Sequence, residues 1–390
     1  MGGCNNCLYD IKHPFGLVVS NDSCSGCDTH REKYTIDWNQ KQNELEDIVL
    51  WAKKKSVTYD CIVPVIGDAE DYFVLNKVLS LGLNPLVVSV NDYFKNDIGW
   101  HNLHQLITYF DVDSMIYNPD VRVYKDLVRT SLRKFDHILL PFLTLHTSFP
   151  VHVAKQRKIP LIVWGQNQSI EQAGKFSHYD KVEMTEWSRN EHDLFSCNID
   201  CLIGSGAQVS YRDLNYYKYP KIASLYNKGV RGIYLSNYYK WDPLKQNHST
   251  LKFGYKPQKN HSSFDIYERA GSSVYYQLHD LLRYKRIGYR KVRDHLVREI
   301  RHGRIDKLSA IKVEEEFSKS GFDVYPFFNW LDMSKSGMKW FIKHRLSNYE
   351  HLLSNGNTQN INLPKDISKY LISGSVPNKG FVTFGKGIKI

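Results

Sequence analysis

Four cysteines near the start of the chain have the type and spacing of metal ligands. They form two Cys-x2-Cys pairs separated by sixteen residues, at Cys4, Cys7, Cys24 and Cys27. Each pair can direct two thiolates at one tetrahedral ion, as zinc ribbons and knuckles do. The pattern predicts a structural zinc site, because four thiolates leave no open position for a substrate. A redox or disulfide role is the weaker interpretation, since a cytosolic chain keeps its thiols reduced.

Three carboxylates stand in a turn between an apolar run and a helix. The turn follows "DCIVPV" and reads Ile66, Gly67, Asp68, Ala69, Glu70, Asp71. Strand-to-helix turns of this kind commonly bind phosphate through backbone N–H groups. Two like charges about 4 Å apart repel by roughly 4 kcal/mol at an effective dielectric of about 20, so these carboxylates disfavour bare ATP.

Four interpretations of this acidic turn stay open. Asp68, Glu70 and Asp71 can hold Mg²⁺, which would bridge the carboxylates to phosphate. The turn can instead face a cationic or hydroxyl-rich ligand, or belong to a non-catalytic scaffold. It can also be a plain helix start, because carboxylates stabilise helix N-termini.

Alternating apolar runs and helical stretches must position these residues. A first helix is predicted over residues 36–56. The predicted strands are "CIVPV", "PLVVSV", "SMIYN", "HILLP" and "PLIVWG", and the helices between them are "EDYFVLNKVLSLG", "GWHNLHQLITYF", "VYKDLVRTSLRKF" and "PVHVAKQRK". Because the runs are apolar throughout and separated by helices, the sequence predicts an α/β fold with a doubly wound parallel sheet. Ligands of such sheets bind at the carboxyl ends of the strands.

Length, charge and composition limit the function classes. The chain has 390 residues, 42% of them hydrophobic, and a formal net charge of +11. Positive charge favours anionic partners such as nucleotides, nucleotide-linked sugars, nucleic acid or acidic membranes. No apolar run approaches the roughly 20 residues that span a bilayer, and no signal-peptide core is present, so we expect a cytoplasmic protein. We expect three units: a zinc knuckle (1–35), an α/β domain (36–205), and a tyrosine-rich loop and helical region that ends in a Gly-rich tail (206–390).

Acids, histidines and arginines further along the chain supply weaker candidates. Residues 176–195 gather acids and histidines that can form a substrate pocket or a second metal site. Residues 273–318 have the pattern of basic helices. Within them His279 and His295 lie near arginines such as Arg293, which favours a phosphate site. A solvated basic face explains the same pattern equally well.

These segments, in this order, resemble the N-acetyl sugar amidotransferases of bacterial surface-polysaccharide biosynthesis. That family joins a cysteine knuckle to an ATP-pyrophosphatase domain of the adenine nucleotide alpha hydrolase-like type. The resemblance rests on the knuckle, on "DCIVPV" with "YFVLNKVLSLGLNPLVVSVN", and on "NDIGWHNLHQLI", "PLIVWGQN", "GVRGIYLSNYYKWDP" and "RKVRDHLVREIRHGRI". It spans about residues 4–311, and the order of the motifs is more specific than any one of them.

The resemblance implies an ATP-dependent reaction on an acetamido sugar or a nucleotide-linked sugar. ATP adenylates the acetamido oxygen and releases pyrophosphate. Ammonia then attacks the activated carbon and AMP leaves, which gives an acetamidine. The implied cofactors are structural zinc, ATP and Mg²⁺, and the implied partner is a glutaminase and cyclase-like pair that supplies ammonia.

The resemblance also implies site residues. The implied catalytic residues are Asp68, Glu70 and Asp71. The residues implied for cofactor binding are Gly67, Ala69, Asn91, Gly99, Asn102, Trp164, Gly165, Gln166 and Asn167. The residues implied for substrate binding are Arg231, Tyr234, His279, Arg293 and His295.

Two departures from the family pattern concern the implied ATP site. The family's loop reads Ser-Gly-Gly-x-Asp-Ser, of which Gly67 alone is unchanged, while Asp71 replaces the final serine. Gln166 replaces the acid of the family's Trp-Gly-Glu-Asn stretch. Two altered positions in one expected site favour changed chemistry.

Two other functions stay open. A catalytically altered homologue would bind a ligand, or act as a scaffold, without adenylation. A tRNA-thiolating ATP pyrophosphatase would share the fold, the knuckle and the basic charge. The "VWGQN" and "GVRGIYL" segments favour the sugar enzyme, while Cys197 and Cys201 leave sulfur transfer open.

Overall fold

The architecture is a five-stranded parallel sheet covered by helices and preceded by a small cysteine-rich hairpin. The computed structural model describes residues 2–194, 197–204, 206–353 and 361–371. The Gly-rich tail expected at the end of the chain lies outside these described residues.

The strands are short and apolar. An antiparallel hairpin joins β1 (Val19–Ser20) to β2 (Ser23–Cys24). The sheet consists of β3 (Cys61–Val65), β4 (Pro85–Val90), β5 (Ser114–Tyr117), β6 (Leu161–Trp164) and β7 (Arg231–Tyr234). Its strand order is β5-β4-β3-β6-β7, and every neighbouring pair is parallel.

The order of the strands creates a switch point beside β3. After β3 the chain continues to β4 on one side, and it later returns to β6 on the other side. The ladder between β3 and β6 includes only Cys61↔Leu161 and Ile62↔Ile162, which leaves the carboxyl ends of both strands unpaired with each other. Ligand crevices in doubly wound sheets lie at such points.

The helices flank the sheet and extend beyond it. Their bounds are α1 (Ser25–Glu32), α2 (Trp38–Lys55), α3 (Ala69–Ser80), α4 (Asp97–Phe110), α5 (Val121–Phe135), α6 (Leu140–Arg157), α7 (Gln168–Glu171), α8 (Glu186–Ser188), α9 (Ile199–Gly204), α10 (Ile222–Tyr226), α11 (Pro243–Ser249), α12 (Ser273–Ile287), α13 (Lys291–Arg301), α14 (Lys307–Ser318), α15 (Tyr325–Trp330), α16 (Lys335–Arg345) and α17 (Lys365–Ser368). A π-helical turn spans Arg189–Asp193, and 3₁₀ turns span Leu235–Asn237, Thr250–Phe253 and Ser347–Leu352.

Two apolar cores cover the two faces of the sheet. Successive strand side chains point to opposite faces, so Val63 joins one core and Ile62 joins the other. The first core includes α2, α3, α4, α11, α13 and α14, and the second includes α5, α6, α9 and α10. A third cluster packs α12, α15 and α16 against α5 and the start of α6. The third cluster holds α12, and the first core holds α13, next to the carboxyl ends of the strands.

Most of the predicted elements are confirmed, with one strand wrong and one strand missed. Four predicted strands and the helices from α2 to α5 have the expected positions. The predicted strand "HILLP" is not a strand, because Leu140 begins α6 and Pro141 suits the first turn of a helix. The fifth strand is instead β7, from a stretch whose sequence has no clear period.

The domain boundaries stay predictions. Strand β7 lies beyond the expected boundary at residue 205 and completes the sheet beside β6. None of the helices in the described part of the chain is long and apolar enough to cross a membrane.

Candidate functional site

A cavity of about 380 Å³ opens at the carboxyl ends of β3 and β6. The segments that follow both strands line it, at the switch point of the sheet. Helices α12 and α13 and the loop before them close the opposite side. The position is where a doubly wound sheet places its ligand.

The loop between β3 and α3 is closed by one of its own carboxylates. Oδ2 of Asp71 accepts hydrogen bonds from the backbone N–H groups of Ile66, Gly67 and Asp68, at 2.7, 2.8 and 3.0 Å. The backbone of Gly67 has φ +94°, and a Cβ there would lie 2.9 Å from the backbone nitrogen of Leu103. The anion-binding position of the loop is therefore filled by the chain itself.

Glu70 ties this loop to the end of β6. Its Oε1 accepts a hydrogen bond of 2.8 Å from the backbone nitrogen of Gln166. A Cβ at Gly165 would lie 2.0 Å from the same oxygen, so this close approach requires glycine. Two segments nearly a hundred residues apart in sequence thus form one wall.

Burial changes the protonation of the acidic turn. It raises the pKa of Asp68 to about 7 and that of Glu70 to about 8. It also raises the pKa of Asp71, which the three N–H donors oppose. Charged carboxylates lose hydration when they are buried, so burial stabilises the neutral form relative to the charged form. Near neutral pH, Asp68 and Glu70 are therefore divided between charged and protonated forms and can donate as well as accept hydrogen bonds.

Basic residues from α12 and α13 face the acidic turn across the cavity. They are Arg283, Arg286, Lys291 and Arg298. Carboxylates neutralise three of them at close range. Nη1 of Arg283 lies 2.5 Å from Oδ2 of Asp294. Lys291 lies 2.8 Å from Glu268, and Arg298 lies 2.8 Å from Asp265. These ion pairs reduce the net positive electrostatic field inside the cavity. The cavity therefore suits a polar ligand of low charge better than a polyanion.

The loop before α12 supplies two residues that sequence reasoning missed. Glu268 and Arg269 both line the cavity, and Nε of Arg269 lies 3.9 Å from Oδ2 of Asp68. Arg269 has a left-handed backbone, with φ +56°. Their stretch has neither periodicity nor motif, so no signal in the sequence distinguishes them from other loop charges.

Several buried polar atoms that line the cavity lack a hydrogen-bond partner among the described residues. They include Nδ2 of Asn167, Nε1 of Trp164, Nδ1 of His146 and both ring nitrogens of His192. Burial lowers the pKa values of His146 and His192 to about 3, so both rings are neutral at physiological pH. Buried polar atoms are normally paired, so these atoms need partners that the described residues do not supply.

The structure brings about half of the expected site residues together. Those that line the cavity are Asp68, Glu70, Asp71, Trp164, Gly165, Gln166, Asn167, Tyr234 and His279. Those that lie outside its lining are Gly67, Ala69, Asn91, Gly99, Asn102, Arg231, Arg293 and His295. Of these, Gly67 and Ala69 belong to the loop and helix start that hold the acidic side chains.

Three of the outlying residues make structural contacts in the segments around α4. Nδ2 of Asn91 donates to Asn118 at 2.9 Å. Both polar atoms of the Asn102 side chain bond the backbone of Lys256. A Cβ on Gly99 would lie 2.8 Å from the carbonyl oxygen of Gly271, so this glycine permits close backbone packing. Their roles in ATP binding stay predictions.

The remaining outlying residues lie against carboxylates. Nε of Arg231, at the amino end of β7, donates to Glu183 at 3.1 Å, and the Arg231 guanidinium lies over Trp51. Arg293 pairs with Glu314 at 2.7 Å. His295 lines a smaller adjoining cavity of about 80 Å³, where its Nε2 lies 2.5 Å from Glu268.

The four N-terminal cysteines lie together as ligands of one ion would. All four are buried, and their sulfur atoms lie within 4.8 Å of one another. The sulfur of Cys4 lies 3.9 Å from that of Cys27, and the sulfur of Cys7 lies 3.6 Å from that of Cys24. A tetrahedral ion with bonds of about 2.3 Å separates its sulfurs by about 3.8 Å. The cluster can therefore hold a metal such as zinc.

One arginine connects the cysteine cluster to the wall of the cavity. Nη2 of Arg301 lies 3.6 Å from the sulfur of Cys24. Its Nη1 donates at 3.0 Å to the carbonyl oxygens of Glu171 and Gln172. These residues end α7, the short helix that follows Asn167, and we call Asn167 and α7 together the Asn167 segment. The hydroxyl of Ser25 also donates to the carbonyl oxygen of Ala173. These hydrogen bonds connect the cysteine cluster to the end of α7.

Comparison with known proteins adds no family to these observations. No protein-family model matches this chain, and no curated protein matches it. The fold and the site define its class: a mixed α/β protein with a five-stranded parallel sheet, a switch-point cavity and a four-cysteine cluster.

Proposed function

We propose that this chain is an N-acetyl sugar amidotransferase-like protein that acts on an acetamido sugar, or a nucleotide-linked sugar, in surface-glycan biosynthesis. One observation carries the proposal. The two segments that carry the resemblance, the β3–α3 loop and "PLIVWGQN", meet in one cavity through the bond from Gln166 to Glu70. The strand order also suits a sheet of the ATP-pyrophosphatase type, since such nucleotide-binding sheets share this switch point.

The cavity offers groups that suit an acetamido sugar. Nδ2 of Asn167 and Nε1 of Trp164 are buried donors without a partner among the described residues, and an acetamido carbonyl is an acceptor. Protonated Glu70 can donate to the same kind of oxygen. A neutral sugar also fits a wall whose cations are mostly paired.

The N-terminal cluster would hold a structural zinc ion. Its four thiols satisfy a tetrahedral ion fully, so it has no position for substrate. The implied partner remains a glutaminase and cyclase-like source of ammonia, which would pass ammonia directly to the cavity.

A second candidate function follows from the hydrogen bonds of Asp71. As it stands, the β3–α3 loop does not fit a phosphate, because the Asp71 carboxylate accepts the three N–H groups that a phosphate oxygen would use. This observation favours a catalytically altered homologue that binds its ligand without adenylation. The two candidates differ in whether ATP binds.

Two measurements on the full chain test the proposal. Calorimetric titration with ATP, with and without Mg²⁺, separates the candidates, and absence of binding under both conditions rejects adenylation. Incubation with an acetamido sugar, ATP and an ammonium salt, followed by mass spectrometry, tests for a product in which an imino group replaces the acetamido oxygen. Thiolated tRNA as the product would instead support the sulfur-transfer alternative.

A variant of Asn167 tests sugar binding separately. Asn167→Asp keeps Oδ1, which accepts hydrogen bonds from Ser169 at the start of α7, but replaces the unpartnered Nδ2 donor with an oxygen. Loss of one buried hydrogen bond should weaken sugar binding by about tenfold. Asn227→Asp adds the same charge at an exposed position outside the cavity and serves as the control.

A further inference from the structure

The N–H groups of the β3–α3 loop already bind a carboxyl oxygen, and that oxygen belongs to the chain. One oxygen of Asp71 accepts hydrogen bonds from three successive backbone N–H groups, at Ile66, Gly67 and Asp68. Successive N–H groups that converge on one oxygen form a nest of the kind that holds a phosphate oxygen. The nest lies at the start of α3, where the helix dipole further favours negative charge.

The nest keeps its shape through contacts outside the Asp71 side chain. Gly67 adopts φ +94° and packs against the backbone of Leu103. Tyr72, in the first turn of α3, donates a hydrogen bond of 2.6 Å to the carbonyl oxygen of Asn102. Ala69 and Tyr72 are fully buried. Removal of the Asp71 carboxylate should therefore leave the three N–H groups in place.

An independent observation points to a ligand beside this loop. Asn167 is 2% exposed and lines the cavity that the loop also lines, and its Nδ2 has no hydrogen-bond partner among the described residues. Trp164 is 9% exposed, and its Nε1 also has no hydrogen-bond partner among the described residues. Two buried donors without partners indicate a bound molecule with acceptor oxygens.

We propose that Asp71 is an intramolecular competitor of phosphate: its carboxylate occupies the nest that would otherwise bind a phosphate oxygen. Asp71 therefore determines which ligands the cavity accepts, because a phosphorylated ligand must displace this carboxylate before it can use the nest. This inference concerns phosphate binding alone, so it stands whether or not the chain converts an acetamido sugar.

Substitution of Asp71 by serine tests the proposal directly. Asp71→Ser removes the carboxylate and leaves the small hydroxyl that the resemblance aligns at this position. The affinity for inorganic pyrophosphate in the presence of Mg²⁺ should rise by at least about tenfold over the wild-type chain, since hydrogen bonds to a charged group are strong. Isothermal titration calorimetry of the full chain measures the change.

A neighbouring carboxylate provides the matched control. At pH 8, above the raised pKa of Asp68 of about 7, Asp68→Asn removes negative charge from the same turn, but the side chain of Asp68 does not fill the nest and Asp71 stays in place. The gain in pyrophosphate affinity should be much smaller than for Asp71→Ser. Equal gains in the two variants would overturn the proposal, because they would show general charge repulsion instead of occupation of the nest.

A second Asp71 variant guards against a folding defect. Asp71→Ala also empties the nest, and alanine suits a helix, so this variant should stay folded and bind pyrophosphate more tightly than the wild type. Thermal unfolding establishes that each variant is folded. If no folded Asp71 variant gains affinity over Asp68→Asn, the proposal is wrong. The sugar-conversion assay is independent, so its failure would reject the proposed function and leave this inference standing.

Discussion

Asp68 and Glu70 keep protons that carboxyl groups in water lose well below neutral pH. Their pKa values rise to about 7 and about 8 because burial removes the hydration of the charged form. Asp71 lies in the same turn, but three N–H groups satisfy its charged form. At the residue scale, one turn therefore holds a carboxyl group with a structural role beside two carboxyls that can exchange protons with a ligand.

The raised pKa of Glu70 predicts a pH dependence of stability. The folded chain binds this proton more tightly than the unfolded chain, so the free energy of unfolding falls as pH rises from about 4.5 to about 8. Glu70→Gln should remove on the order of 1 kcal/mol of that fall, after allowance for solvent screening. Urea unfolding at both ends of this pH range measures it. The same pH slope in wild type and variant would contradict the assignment.

Gly67 predicts a local cost of substitution. Its left-handed backbone and its contact with Leu103 leave no room for a side chain, so Gly67→Ala should lower the free energy of unfolding by about 1–3 kcal/mol. Gly204→Ala is the control, because a Cβ there meets no atom within 4 Å and its backbone is not left-handed. Urea denaturation of both variants compares the two costs, and equal costs would refute the geometric argument.

At the scale of elements, the cysteine cluster and α7 form one unit. Backbone N–H groups of Tyr9 and Cys24 point at cysteine sulfurs, as in metal knuckles. Arg301, from α13, contacts both a sulfur and the carbonyl oxygens at the end of α7. A metal in the cluster would therefore hold the Asn167 segment in place as well as the N-terminal hairpin.

The cluster predicts one zinc ion per chain, held by four thiolates. Cys24→Ser should lose the ion and lower the thermal stability, because a buried ligand contributes its binding energy to folding. Cys201→Ser, whose thiol lies outside the cluster, should retain the metal. Native mass spectrometry measures the zinc content of both variants. Retention of zinc by the Cys24 variant would show that the cluster is not the site.

At the scale of the whole molecule, one buried ion pair joins three distant segments. Nζ of Lys33, which follows α1, lies 2.5 Å from Oε2 of Glu171 in α7 and donates to the carbonyl oxygen of Trp241. The side chains of Lys33 and Glu171 are 1% and 5% exposed. The N-terminal region is thereby fixed to α7 and to the segment before α11.

Removal of this lysine should destabilise the chain strongly. Lys33→Met leaves a buried carboxylate without its cation, at a cost of about 3–5 kcal/mol. Lys33→Met with Glu171→Gln should recover part of the loss, because no buried charge then remains unpaired. Lys319→Met breaks the exposed pair with Glu316 and should cost less than about 1 kcal/mol. Chemical denaturation ranks the variants, and a Lys33→Met cost equal to that of Lys319→Met would refute the prediction.

Sequence periodicity was a good guide to elements and a poor guide to the partners of each residue. The apolar runs from β3 to β6 identified the sheet, because strands buried on both faces must be apolar throughout. "HILLP" has the same composition, yet α6 begins there at Leu140, with Pro141 in its first turn. Strand β7 contains Arg231 and Tyr234 and lacks the apolar run, so only its pairing with β6 identifies it.

The candidate site also contains residues that the sequence could identify and residues that only the structure identifies. Asp68, Glu70 and the Trp164–Asn167 segment could be found from the sequence, because they directly follow strands. Glu268 and Arg269 could not, since their approach depends on how the loop before α12 folds over the sheet. Asn102 bonds the backbone of Lys256, a contact between residues far apart in sequence that its motif does not indicate, and its role in ATP binding stays a prediction.

The sequence by itself determined the parallel α/β class and the spacing of four cysteines that can hold a metal, because both depend on local patterns of residue type. Tertiary structure alone decided that the β3–α3 nest is filled by Asp71, that Glu70 reaches β6, and that α12 and α13 close the cavity. The physical reason is that hydrogen bonds and ion pairs depend on distances of a few ångströms, which chain folding sets and residue spacing does not.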